Sequence, residues 1–205
     1  VSLSPDVGAT FGEYTIDALL GRGGMGAVYL ATHERLGRKV ALKLLAPQLA
    51  HDDAFQARFL RESRLAASLD HPNVIPIYDA DEIDDVLYLA MRYVNGPSLQ
   101  ALVRERGPLG VDATSRIVDQ VAGALDAAHR AGLVHRDVKP ANVLVAEPED
   151  HVYLCDFGLA KQTSSAGTTQ TGFFLGTLDY AAPEQIEGKG VDARTDVYGL
   201  GGLVF

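Results

Sequence analysis

Residues 21–33 read GRGGMGAVYLATH, and the element directly after the glycines decides the fold. Gly21, Gly23 and Gly26 have the spacing G-x-G-x-x-G, with Gly24 as an extra glycine. Two unrelated phosphate-binding devices share that string. A dinucleotide site needs a helix directly after the glycines and an acidic residue ~20 positions on. Here AVYLATH (27–33) predicts a strand, and the residue that stands out downstream is a cation, Lys43. A P-loop would need G-K-[ST] after its glycines, and the chain has none. The remaining candidate is a β-hairpin tipped with glycine. Such a tip lets backbone N–H groups come close to phosphate oxygens.

On either side of the glycines, EYTIDALL (13–20) supplies the first arm of the hairpin and KVALKLL (39–45) a third strand. The alternation of that third strand sets Ala41 and Lys43 on one face and Val40 and Leu42 on the other. Asp52 caps a predicted helix running to about Leu69, with Phe55, Phe59, Leu60 and Leu65 as its apolar stripe. HPNVIPIYDADE (71–82) and DVLYLAMRYV (85–94) predict two more strands joined by an acidic turn. The segment NGPS (95–98) breaks this pattern, and helical periodicity takes over beyond it. Asp112 is the expected N-cap of a helix carrying Ile117, Val121, Leu125 and Ala128, with Gly132 as its stop. Short strands are expected at NVLV (142–145) and VYLC (152–155). A polar stretch covers 162–172, and a last helix begins in ARTDVYGLGGLVF (193–205). These elements predict an α+β chain with an N-terminal tail over 1–13, a five-stranded antiparallel sheet with one main helix over 14–94, and a mainly helical part over 95–205.

The 205 residues suffice for one large domain or two small lobes. At 47% hydrophobic and 22% charged, the chain has the composition of a folded globular protein. A net charge of −9 argues against nucleic acid as a partner. One cysteine, Cys155, excludes an internal disulfide and a cysteine-rich zinc module. No apolar run approaches the ~20 residues of a membrane helix, and the first residues lack the regions of a signal peptide. A cytoplasmic chain without a membrane segment is the expectation, with membrane anchoring of the full-length protein left open.

Four further strings occur in one order. VALK is residues 40–43, VHRDVKPANVLV is 134–145, DFG is 156–158 and APE is 182–184. With the glycine loop they have the order and spacing of the protein-kinase signature. From about Tyr14 onward, the chain resembles the bacterial branch of eukaryotic-like serine/threonine protein kinases. The resemblance implies a bilobal fold and transfer of the γ-phosphate of ATP to protein hydroxyls, with Mg²⁺, or Mn²⁺ in its place.

The resemblance also implies roles. Leu20, Gly21, Gly23, Gly26, Val28, Ala41, Met91, Val94 and Leu144 match nucleotide-binding positions, Met91 as gatekeeper and Val94 in the hinge. Lys43 matches the lysine of the α- and β-phosphates, and Glu62 its ion-pair partner. Asp137 matches the catalytic base and Lys139 the cation that neutralises the moving phosphoryl group. Asn142 and Asp156 match the metal ligands, and their oxygens suit Mg²⁺. Lys139, together with Thr177 of GTLDYAAPE, favours serine and threonine over tyrosine as acceptors. Thr169 and Thr171 match sites of autophosphorylation, which would involve a homodimer. A phosphothreonine there needs cations, and Arg58, Arg136 and Lys161 are the candidates. Cys155 reads as a small buried strand residue, and His135 as a packing and orienting group.

The family's large lobe continues beyond a helix like the last one here, so a truncated kinase domain is expected. An inactive kinase-like scaffold is the rival reading, although such scaffolds usually lack Lys43, Asp137 or Asp156. A small-molecule phosphotransferase would lack APE and the threonine-rich segment.

Overall fold

The computed structural model describes residues 5–148, 151–157 and 178–204. They divide into two compact units. One holds the residues up to Ala67 together with Pro76–Tyr93, and the other holds Ser68–Ile75 together with the residues from Val94 onward.

The first unit is built on an antiparallel sheet. Its strands are β1 (Thr10–Phe11), β2 (Tyr14–Gly23), β3 (Gly26–His33), β4 (Arg38–Leu45), β5 (Ile77–Ile83) and β6 (Val86–Arg92). Their order across the sheet is β1-β2-β3-β4-β6-β5. Six strands replace the expected five, because part of the supposed tail joins the edge. Gly8 donates to the Ile16 carbonyl at 2.8 Å, Ile16 donates to Ala9 at 2.9 Å, and Thr10 pairs with Thr15. Phe11 anchors this flap by an edge-on contact with Tyr88, 5.6 Å between ring centroids. That apolar contact offsets the entropy of ordering a segment with no periodicity of its own.

Strand alternation places Tyr14, Ile16, Ala27, Tyr29, Ala31, Val40, Leu42, Leu44, Val86, Tyr88 and Ala90 in one buried cluster. Val40 and Leu42 lie on its face, as the alternation of KVALKLL requires. The polar ends of this aromatic layer are satisfied. Tyr14 Oη and Tyr88 Oη both donate to Asp79 Oδ2, at 3.3 and 2.6 Å. Burial and the Asp79 carboxylate push the Tyr14 phenol up to about 12 and Tyr88 higher still.

The β2–β3 hairpin closes at the pair Gly23–Gly26 around Gly24 and Met25. Gly26 has φ +143°, and a Cβ there would meet the Leu44 carbonyl oxygen at 2.0 Å. The β5–β6 hairpin closes at Ile83–Val86 with Asp84 and Asp85 both left-handed, at φ 50° and 60°. That conformation at both central residues suits the twist of flanking antiparallel strands, and Asp tolerates it.

Helix α1 (Pro47–Ala50) precedes α2 (Asp53–Ala67). Asp52 caps α2 as expected, its Oδ1 accepting from Ala54 N and Phe55 N at 3.0 Å each. The buried stripe differs from the expected one. It is Phe55, Phe59, Glu62, Ser63 and Ala66, and Leu65 is exposed. The stripe follows the 3.6-residue turn, and Leu65 falls off it. The segment before β5 also departs from the expected strand. Residues 68–75 bond within the second unit, with Ile75 N donating to the Leu154 carbonyl at 3.0 Å. Pro76, which has no N–H, separates them from the sheet.

The second unit contains α3 (Leu99–Arg106), α4 (Val111–Arg130), the antiparallel pair β7 (Val143–Ala146) and β8 (His151–Leu154), α5 (Pro183–Ile186) and α6 (Ala193–Gly202). Helix α4 buries Ile117, Val121, Ala124, Leu125 and Ala128 and ends before Gly132, which has φ +76°. Its N-cap is Gly110 rather than Asp112. Asp112 lies in the first turn, where its charge complements the helix dipole.

Gly26→Ala should lower the unfolding free energy of the first unit by roughly 2 kcal/mol or more, through a strained φ and a backbone clash. A methyl group on Gly21 would meet nothing within 4 Å, so Gly21→Ala should stay within about 0.5 kcal/mol of the parent, with thermal melts of both variants as the measurement.

Candidate active site

The register of the first sheet assembles a wall from distant strands. Val28 pairs with Lys43 and Lys43 with Leu89, while Leu30 pairs with Ala41 and Ala41 with Met91. Residues directly opposite one another share a face. Two adjacent rows therefore carry Val28, Lys43 and Leu89, then Leu30, Ala41 and Met91, on the face opposite Val40, Leu42 and Leu44. An apolar surface with one ammonium group can take a flat, weakly polar ring beside an anion. Glu62 is in the same unit on α2, only 6% exposed, with Arg61 Nη2 3.9 Å from its Oε1.

The glycines do not share one function. Gly21 and Gly23 have open space where a side chain would be, and Leu20 is exposed at an irregularity in β2. Gly26 is required by its contact with β4 backbone. Arg58, on α2, holds its guanidinium 5.5 Å from the Phe55 ring centroid. Its buried Nε has no hydrogen-bond partner among the described residues.

In the second unit, the segment between α4 and β7 carries Asp137, Lys139 and Asn142. Lys139 Nζ is 2.9 Å from Asp137 Oδ2. Asn142 Nδ2 donates to the Asp137 carbonyl at 2.8 Å and to its Oδ2 at 3.1 Å. The Asp137 carboxylate is thus fixed on one oxygen by two donors. The amide nitrogen of Asn142 is used in this way, which leaves its carbonyl oxygen as the atom suited to a hard cation.

The backbone beneath is under strain. Arg136 is left-handed at φ 64°, and so is Asp156 at φ 60°. Each costs about 1–3 kcal/mol in a residue other than glycine. Asp196, 1% exposed on α6, holds the first of these. Its Oδ2 accepts from His135 N and its Oδ1 from Arg136 N, both at 2.7 Å, and His129 Nε2 is 2.7 Å from Oδ2.

His135 is fully buried and bonds on both nitrogens. Its Nδ1 accepts from Asp137 N at 3.2 Å, and its Nε2 lies 2.9 Å from the Cys155 carbonyl. A carbonyl can only accept, so Nε2 carries the proton and the ring is neutral. Burial holds the imidazole below its ordinary value. Its ring packs 4.8 Å from Phe157, which connects this segment to the residues flanking Asp156. Cys155 is buried, and its thiol donates to the backbone carbonyl of Asn142 at 3.3 Å. Val94 is buried and Leu144 half-buried on β7, bridged to Ser98. Gly158, Lys161, Thr169, Thr171 and Thr177 lie outside the described residues.

Some residues that build this site are not conspicuous in sequence. Gly96 has φ +149°, and a Cβ there would strike the Val145 carbonyl oxygen at 2.0 Å. The Gly-Pro pair in NGPS marks the turn but not this contact. Gly199 lets α6 approach Val138, whose Cβ and carbonyl oxygen would each lie 2.9 Å from an added Cβ. Thr195 Oγ1 donates to Glu184 Oε1 at 2.6 Å, which holds the Glu184 carboxyl below the ordinary range.

The titrations of His135 and Glu184 act in the same direction. His135 stays neutral in the fold while the unfolded chain takes up a proton near pH 6.5, so stability falls as pH drops below that value. The contribution of Glu184 is present above pH 4.5 and is lost as pH falls further. Unfolding measured from pH 8 to pH 5 should show steadily lower stability. His135→Asn should be weaker at pH 8 but lose less over that range.

The protein kinase domain family matches residues 14–205. Serine/threonine-protein kinase PknD of Mycobacterium tuberculosis is 48% identical over 196 residues, which is 96% of this chain and 29% of PknD. Serine/threonine-protein kinase PknE of the same organism is 47% identical over 193 residues, 94% of this chain and 34% of PknE. The chain thus spans about a third of the length of these curated relatives. The crystal structure of the M. tuberculosis PknI kinase domain superposes with a TM-score of 0.77 at 41% identity, covering 96% of this chain and 74% of that one. A matched domain over nearly the whole chain, on a fold that carries the Asp137–Lys139–Asn142 constellation, shows that this chain belongs to the protein kinase domain family.

Proposed function

We propose that this protein is an ATP-dependent protein serine/threonine kinase. The observation that carries the reading is the Asp137 carboxylate, fixed by Lys139 Nζ at 2.9 Å and Asn142 Nδ2 at 3.1 Å. Phosphoryl transfer asks a protein mainly for positioning and for stabilisation of charge, and this cluster offers both.

In this reading, Asp137 orients a serine or threonine hydroxyl and takes its proton as the oxygen bonds to the γ-phosphorus. The bond from that phosphorus to the β-phosphate oxygen breaks, and ADP leaves. Lys139 offsets charge on the phosphoryl group in transit. Lys43 binds the α- and β-phosphates and pairs with Glu62. The rows bearing Val28, Ala41 and Met91, with Leu20, Val94 and Leu144, take the adenine, and the open tip at Gly21 and Gly23 follows the phosphates. Asn142 Oδ1 and the Asp156 carboxylate would hold Mg²⁺, or Mn²⁺, whose charge neutralises phosphate oxygens. Two protein oxygens suit Mg²⁺, which keeps waters and phosphate oxygens in its other positions.

Activation follows from autophosphorylation of Thr169 or Thr171 between two copies, with Arg58, Arg136 and Lys161 receiving the phosphate. Thr177 contributes to the choice of serine and threonine. Among the described residues, no helix is long and apolar enough to cross a membrane. We place the domain in the cytoplasm, where ATP and Mg²⁺ are available.

Incubation with Mg²⁺ and γ-labelled ATP should label the protein and an added basic protein substrate on serine and threonine. Asp137→Asn should lower the rate at least about 100-fold while nucleotide still binds. Label retained at the parent rate in that variant would remove Asp137 from the chemistry. No transfer by the parent would favour the scaffold reading.

A further inference from the structure

Arg136 and Asp137 share one peptide unit, and both of its polar atoms are held by side chains. The N–H of Asp137 donates to His135 Nδ1 at 3.2 Å. The carbonyl of Arg136 accepts from Gln185 Nε2 at 2.9 Å. Gln185 lies on α5, one residue after Glu184. Its amide orientation follows from its partners, because Oε1 accepts from Ala182 N at 3.0 Å and the Arg136 carbonyl can only accept.

These contacts close a ring. Arg136 N donates to Asp196 Oδ1 at 2.7 Å, and Asp196 follows Thr195 in the chain. Thr195 Oγ1 donates to Glu184 Oε1 at 2.6 Å, Glu184 precedes Gln185, and Gln185 returns to the Arg136 carbonyl. The left-handed residue is therefore gripped at its N–H by α6 and at its carbonyl by α5. We infer that Gln185 is a positioning residue for phosphoryl transfer. By fixing the rotation of the peptide before Asp137, it sets the carboxylate where a hydroxyl must meet it, and it ties that placement to the segment ending in α5. The inference rests on the kinase reading.

Two substitutions divide the two hydrogen bonds of Gln185. Gln185→Glu keeps an acceptor for Ala182 N and sets an oxygen against the Arg136 carbonyl. Gln185→Lys keeps a donor for that carbonyl and loses the acceptor. Positioning predicts that Gln185→Glu lowers kcat about ten-fold with the KM for ATP within about twofold, while Gln185→Lys retains more of the parent kcat. The amide resonance of Asp137 should shift in the Glu variant and stay closer to the parent in the Lys variant. A kcat for Gln185→Glu equal to the parent's, or above that of Gln185→Lys, overturns the inference and leaves Gln185 as a cap of α5. A parent without transfer activity overturns the kinase reading, and the inference with it.

Discussion

The second unit depends on one buried carboxylate. Asp196, from the first turn of α6 and only 1% exposed, accepts the N–H groups of His135 and Arg136. Without it, those two amides would each forfeit the hydrogen bond they had in the unfolded chain, at about 1–3 kcal/mol apiece. With the carboxylate in place, Arg136 is held in the left-handed region, and the chain reverses so that Asp137, Lys139 and Asn142 converge. The strain at Arg136 is thus balanced by charge-assisted hydrogen bonds, which are stronger than those between neutral groups. The buried ring of His135 then locks the same turn to Cys155 and Phe157 on the far side.

Rigidity and openness are distributed unequally. The carboxylate of Asp137 is restrained by two donors, and its preceding peptide by two more hydrogen bonds. At the β2–β3 hairpin, Gly26 is committed to its close approach to Leu44, whereas Gly21 and Gly23 face open space. Under the proposed function, Asp137 would gain from restraint, because misplacement of a base by about 1 Å is costly in rate. The hairpin would gain from the freedom of glycine in admitting and releasing a nucleotide.

Much of this was legible in the chain. Motif order was enough to separate a phosphoryl-transfer hairpin from a dinucleotide fold, since a strand, not a helix, comes after Gly26. Strand parity placed Val40 and Leu42 in the core and Ala41 and Lys43 on the other face. Asp52 as a cap and Gly132 as a stop were readable because capping is local chemistry between residues two to four apart. The departures came where long-range packing outweighed local pattern. Thr10 and Phe11 lie in a stretch without periodicity and became strand only because β2 offered an edge and Tyr88 a partner for Phe11. Leu65 was apolar yet lay off the buried stripe, while Glu62 lay on it.

The sequence alone carried the family, because the signature strings keep their order and spacing however the chain is folded. Tertiary structure alone showed how those residues are held. Gln185 meets Arg136 across 49 positions, and Gly96 and Gly199 are needed for backbone atoms far from them in the chain. Hydrogen bonds and close approaches at such separations leave no period in the sequence. They exist only once packing has brought the partners within about 3 Å, where a hydrogen bond can form.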